Sequence, residues 1–362
     1  MSSTHTVTLA AIATAQAIAS AFVILLMGAF AQRFSLLTPN SNKELSLLVG
    51  TVLESCLAFS SMLRLSANDI ATGGPLLFWP VIHVALSLLL GYAILPNSSR
   101  RGALLLCTAL GNAGAIPTPL VQTLLSTTMD SNAAARGTLL VQLYLVTWRF
   151  LVWSVGPALL QTSIASGGKK NEDGGGGGST RNAAGLSLRV LRQRLLPPPT
   201  IASLVGGALA FGPAPLRQLV LDGPLRFVHS AAKQVGAASP PLALLTLGFA
   251  LGSSMSGQGV GDGGRTRFTT YEIVAACSIR LLLVPLSHLL LMRSALFDAP
   301  ARTDPVHIVL LVQSAVPTAL SVNSIFQREG VDTSSLGRLM LPMYAFAMPS
   351  IVGMMVLDVL VA

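Results

Sequence analysis

The chain has 362 residues, of which 52% are hydrophobic and only 10% charged, with a mean hydropathy of +0.67. A soluble domain carries about a quarter charged residues because its surface faces water, so this composition excludes an ordinary soluble globule and requires lipid around much of the surface. The net charge of +9 does not argue for nucleic acid, because the basic residues mark the ends of apolar runs instead of clustering with aromatics.

A helix crossing a bilayer needs about 20 mostly apolar residues. By that measure the first span covers 7–30. Ala29-Phe30-Ala31 imitates a signal-peptidase site, but no Lys or Arg precedes it and the apolar run is long, so an uncleaved helix is expected. Spans follow at 45–64 (with Glu54 near its middle), 75–95 (with His83), 102–126 and 137–160 (with Arg149). The next segment, Gly167-Gly168-Lys169-Lys170 and then Gly174 through Ser179, reads as a flexible cytosolic linker. It lacks the Gly-Lys-Ser/Thr ending of a phosphate-cradling loop. The second half opens at Pro197-Pro198-Pro199 with a short span at 197–212, then 226–255, expected to kink at Pro240-Pro241, 269–292 (with His288), 305–326 and 338–361. The division is therefore 1–164, a first five-helix repeat; 165–194, the linker; and 195–362, a second repeat.

No enzyme is expected. Gly259-Val260-Gly261-Asp262 matches the GxGD string of intramembrane proteases, but it lies in a Gly-rich connection and no second aspartate sits in a membrane core to share a proton. Cys56, Cys107 and Cys277 lie in apolar runs without a CxxC pair. No metal site is expected, since His, Cys and carboxylates do not recur at helical ligand spacing, and nothing asks for a cofactor.

Alternating the ten spans puts fourteen Lys and Arg on one side and seven on the other: Arg64, Arg136, Arg217, Arg226, Lys233, Arg293 and Arg302. The positive-inside rule places the fourteen in the cytosol and both termini outside it.

The halves resemble each other. Ala115-Ile116-Pro117-Thr118 matches Ala315-Val316-Pro317-Thr318 at an offset of about 200, as Tyr144 matches Tyr344; Pro80-Val81-Ile82-His83 matches Pro285-Leu286-Ser287-His288 at about 205. With five spans each, the halves enter the membrane from opposite sides, giving an inverted repeat of the kind secondary transporters use. Proline inside a helix removes a backbone hydrogen bond and clashes with the preceding turn, so Pro117, Pro119 and Pro317 should break the fourth and ninth helices near mid-membrane. Half-helix N-termini there attract an anion, and an organic carboxylate is the expected ligand. Asn112, Thr118, Gln313, Thr318 and Asn323 are candidate contacts, with Gln142, Tyr144 and Tyr344 as further lining. Glu54 would be protonated, paired with Arg149 or Arg280, or in a wet cavity. Glu54, His83, His288 and Arg149 are candidates for coupling or a structural ion pair.

Taken together, Gly111 through Pro117, Leu196 through Ala202, Leu244 through Gly248 and Gln313 through Ala319 resemble the auxin efflux carrier family, its PIN-LIKES branch more than the long-loop PIN exporters. The resemblance implies an all-α polytopic protein of ten helices in two inverted repeats, with a scaffold of helices 1, 2, 6 and 7 and a transport part that holds crossed helices 4 and 9 and moves as an elevator. It implies indole-3-acetate or a related anion as substrate, a homodimer as a possible assembly, and an endoplasmic reticulum address, the plasma membrane being the alternative. PIN exporters carry an acidic–basic pair on the third helix; here that helix offers only His83. A bile-acid-type sodium symporter shares the crossed-helix plan, but its ion sites need clustered oxygen ligands, and Glu54 is the only acid near the middle of a span, with Asp358 near the C-terminus. A non-transporting scaffold is the remaining alternative.

Overall fold

The computed structural model describes residues 3–98, 100–129, 131–168, 197–255, 268–294, 304–329, 331 and 334–360. Most of the predicted linker, and the Gly259–Asp262 string, lie outside them. The described residues are almost entirely helical and contain no strand, only an isolated bridge.

In chain order the helices are α1 (Ser3–Arg33), α2 (Pro39–Leu48), α3 (Glu54–Met62), α4 (Ala67–Gly73), α5 (Pro75–Ile94), α6 (Arg101–Ala109), α7 (Pro117–Thr128) and α8 (Ser131–Gly168). After the linker come α9 (Pro198–Phe211), α10 (Ala214–Leu221), α11 (Arg226–Ala237), α12 (Ser239–Met255), α13 (Thr270–Ser278), α14 (Val284–Arg293), α15 (Pro305–Ala315), α16 (Ser321–Arg328) and α17 (Ser334–Leu360). Single π-turns, Val49–Leu53 and Ile279–Leu283, join α2 to α3 and α13 to α14. Such turns cluster at functional sites, and here the first delivers Glu54 while the second contains Arg280.

Five helices among the described residues are long and apolar enough to cross a membrane: Asn40–Met62, Pro75–Ile94, Ser131–Gln161, Thr270–Arg293 and Leu336–Leu360. α9 and α10 make a sixth if taken as one span, though they meet at 116°. The expected kink in the seventh span falls at Ala238, ahead of Pro240-Pro241, and separates α11 from α12. Proline has no N–H to lose in a first helical turn, so the pair starts α12 instead of bending it.

α1 packs chiefly on α12, and both touch α17. The contact is backbone on backbone: a Cβ at Gly248 would collide with the Leu25 carbonyl, and one at Gly28 with the Leu245 carbonyl. Small residues permit this approach where lipid offers no hydrophobic drive for association. α3 packs on α9 and α11, while α5, α6 and α7 pack on α8.

Candidate functional site

Two helical paths are interrupted: 110–116 separates α6 from α7, and 316–320 separates α15 from α16. Interrupted backbone in a membrane must find partners within the protein, and the breaks supply them to each other. Gly111 and Thr318 form an antiparallel bridge, in which Asn112 N–H donates to the Pro317 carbonyl at 2.7 Å and Ala319 N–H to the Leu110 carbonyl at 2.7 Å. The two prolines play different parts. Pro117 is the first residue of α7, where φ is already helical and no donor is lost, whereas Pro317 lies within its break as a hydrogen-bond acceptor. The helix ends consequently match at an offset of about 205, that of Pro80 and Pro285, better than at the 200 that aligns the prolines.

Side chains reinforce the crossing. Asn112, 4% exposed, donates through Nδ2 to Tyr344 Oη at 2.9 Å and accepts from Ala115 N–H at 3.1 Å. Tyr344 Oη donates to the Thr318 carbonyl at 3.1 Å. Thr318 Oγ1 donates to the Cys107 carbonyl at 2.7 Å, and Gln313 Nε2 to the Ala113 carbonyl at 2.8 Å.

One side of the crossing is packed solid. Arg280 is 0% exposed, and its Nε donates to the Val316 carbonyl at 2.7 Å. Its Nη1 donates to His83 Nε2 at 2.6 Å and approaches the Thr108 carbonyl at 3.5 Å. Because arginine only donates, His83 Nε2 must accept; the proton of the neutral ring then sits on Nδ1, which donates to Tyr144 Oη at 3.2 Å. Trp79 Nε1 donates to His288 Nε2, whose ring lies 5.3 Å from that of His83. A Cβ at Gly111 would collide with the Arg280 guanidinium. The carbonyls facing Arg280 stand at the C-terminal ends of α6 and α15, the negative ends of their dipoles. No ion pair among the described residues neutralises Arg280; carbonyl oxygens and an imidazole accept from its Nε and Nη1, and its Nη2 is buried without a partner.

The other side opens into a cavity of ≈ 360 Å³. α8 contributes Gln142, Leu145, Trp148 and Arg149, which share one helical face. α3 gives Glu54, and α12 gives Pro240 and Pro241. The beginnings of α7 (Thr118, Pro119) and α16 (Leu320, Ser321) also line it, so two positive helix ends face one space. Arg149 is 4% exposed; its Nη2 lies 3.5 Å from Gln142 Oε1, and its Nη1 is buried with no partner.

The site residues expected from sequence thus divide. Asn112, Thr118, Gln142, Glu54 and Arg149 line the cavity. Tyr144, His83 and Gln313 lie on the packed side, with His288 against His83. Tyr344 and Thr318 stand behind Asn112, Pro317 holds the bridge, and Asn323 is buried on α16 at 1% exposure with Oδ1 unpartnered. Glu54 and Arg149 share the cavity without a direct ion pair, and Arg280, expected as a partner for Glu54, is held at the crossing instead. Sequence reasoning missed the part Arg280 plays, although an arginine in an apolar span with no nearby acid was a signal. It also missed Ser321, which nothing in the sequence distinguishes. Among the described residues no cluster of His, Cys, Asp and Glu fits a metal ion.

A membrane-embedded cavity at crossed broken helices defines an integral membrane transport protein. The family model described as "Membrane transport protein" matches residues 13–355, and the chain belongs to this family, that of the auxin efflux carriers. It is similar to Protein PIN-LIKES 3 of Arabidopsis thaliana, 29% identical over 171 residues, which cover 46% of this chain and 41% of the relative. It is also similar to PIN-LIKES 1 of the same plant, 29% identical over 158 residues (42% of this chain, 31% of the relative). PIN-LIKES 4 is 28% identical over 175 residues (47% and 41%). Each alignment spans less than half of the relative's own length.

Proposed function

We propose that the chain is a secondary transporter of a small organic carboxylate with an apolar body, of the indole-3-acetate kind, bound in the cavity beside the crossing. The observation that carries this reading is Arg149, with its Nη1 buried and unpartnered, in the wall of a cavity that two helix N-termini also face. A buried charged donor left unpaired costs free energy, and a carboxylate supplies the missing acceptor with a charge-assisted hydrogen bond. Leu145, Trp148, Pro240 and Pro241 give the ligand's ring an apolar wall, and ≈ 360 Å³ falls in the usual range of small-molecule sites, about 300–1,000 Å³.

Ten helices in two inverted five-helix repeats fit this reading. In that division α1, α2–α3 and α9–α12 form the scaffold, and the crossed helices belong to the moving part. The cavity takes Glu54 and Leu57 of α3 and the stretch from Ala237 to Ala243 from the scaffold and the rest of its wall from the moving part, the position expected of a substrate carried by an elevator step. Sodium coupling is not needed: the carbonyl oxygens that a metal ion would collect at the crossing are occupied by Arg280. An endoplasmic reticulum membrane is the proposed location, by likeness to the PIN-LIKES proteins.

Flux of radiolabelled indole-3-acetate into proteoliposomes, competed by benzoate and by malate, tests the reading. Saturable flux that benzoate inhibits more than malate, unchanged by a sodium gradient, is expected. Flux equal to that of empty liposomes for every carboxylate overturns it.

A further inference from the structure

A second cavity, of ≈ 440 Å³, lies apart from the crossing, where the end of α3 meets α10 and α11. Arg64, Arg217, Arg226 and Lys233 line it together with His229 and a single acid, Asp222. These are four of the seven basic residues that the sequence assigns to the minority side of the membrane, so charges far apart in the chain converge on one spot. Arg226, His229 and Lys233 follow one another at i, i+3 and i+7 on α11, a spacing that sets two cations and an imidazole on one helical face. Among the described residues no ion pair joins Asp222 or any other acid to the four, and Nε of Arg217 and Nε2 of His229 are buried without hydrogen-bond partners.

The surroundings identify the occupant. α10 leaves α9 at 116°, so it turns off the direction of that span. Beside the cations, α10, α11 and the turn between them expose Leu216, Leu219, Leu225, Phe227 and Val228, with Phe227 67% exposed. Cations next to exposed apolar side chains, on a helix (α10) turned off the span axis and at the start of α11, are the pattern of a segment meeting the bilayer interface. A second copy of the chain is a poorer occupant, since a two-fold contact through this face would set each cationic cavity toward its counterpart. We propose that this cavity binds the phosphate of an anionic phospholipid headgroup, with the acyl chains lying along the exposed apolar residues of α10 and α11. The proposal does not depend on the transported substrate.

The test uses thermal unfolding of the purified full-length protein in a neutral detergent. Dioctanoyl phosphatidic acid should raise Tm in a saturable way, whereas dioctanoyl phosphatidylcholine and sodium phosphate at equal concentration should not. Each charge removed should weaken the apparent affinity about five-fold, so Arg217→Gln with Arg226→Gln loses more than an order of magnitude. Asp222→Asn removes the only acid and should tighten binding. An equal response from the double variant, or an equal effect of phosphatidylcholine or of inorganic phosphate, overturns the proposal. If the double variant does not fold, unchanged affinity in Asp222→Asn overturns it alone. Disulfide cross-linking between copies of a Phe227→Cys variant, undiminished by phosphatidic acid, assigns the face to a second copy and overturns it as well.

Discussion

The two sides of the helix crossing are made from the same broken helices and yet do opposite things. On the packed side, the C-terminal ends of α6 and α15 turn their carbonyls toward Arg280, and no cavity remains for a ligand. On the open side, the N-terminal ends of α7 and α16 face ≈ 360 Å³ that Arg149, its Nη1 unpartnered, helps to line. Each helix break necessarily exposes one negative and one positive end. The protein answers the negative ends with a resident guanidinium and leaves the positive ends to the cavity. The difference teaches that a buried arginine can be structural or receptive according to what surrounds it: Arg280 is held by a carbonyl and an imidazole within 2.7 Å and its unpartnered Nη2 has no cavity beside it, whereas Arg149 has only a long contact to Gln142 and lines open space.

That contrast breaks most sharply if the two arginines exchange phenotypes. Arg280→Met should cost stability, because the Val316 carbonyl and His83 Nε2 lose their buried donor, at about 1–3 kcal/mol for each group left unsatisfied. A large fall in Tm, with little folded protein recovered, is the expected outcome. Gly111→Ala should act in the same direction by driving a methyl group into the Arg280 guanidinium. Arg149→Gln should leave Tm near that of the parent and lower carboxylate uptake by about ten- to a hundred-fold, the worth of one charge-assisted hydrogen bond at about 1.5–3 kcal/mol.

Smaller effects sharpen the comparison. Asn112 belongs to both sides, because it lines the cavity and its side chain ties Tyr344 to Ala115. Asn112→Ala should lower both Tm and uptake, the latter by about ten-fold from roughly two hydrogen bonds lost. Glu54→Gln removes a like charge from the ligand's surroundings and should raise apparent affinity for the carboxylate a few-fold, read as a lower KM. Tyr144→Phe removes only the bond to His83 and should cost about 1 kcal/mol of stability with uptake unchanged.

Much of the framework was legible in the chain itself. Apolar runs and proline positions located both interruptions and the five or six helices of membrane-crossing length among the described residues, against ten spans expected, because in a membrane backbone satisfaction leaves few alternatives. What the runs did not reveal was how the side chains divide across the crossing. Asn112, Tyr144, Gln313 and Tyr344 all read as polar residues near a break, and only the packing shows that Tyr144 and Gln313 face inward while Asn112 meets the cavity. The matched prolines were the strongest sequence signal, yet Pro117 opens a helix and Pro317 accepts a hydrogen bond within its break. Local sequence likeness marked the right region and missed the register, since the register is set by backbone pairing between segments some 200 residues apart.

Equilibrium binding of tritiated indole-3-acetate to the purified protein, measured for the parent, Arg149→Gln and Arg149→Lys at matched folded concentration, tests the division most directly. Binding abolished by Gln and partly kept by Lys, with all three proteins equally stable, is the expected result. Binding that Arg149→Gln leaves intact would contradict the assignment of the open side as the carboxylate site.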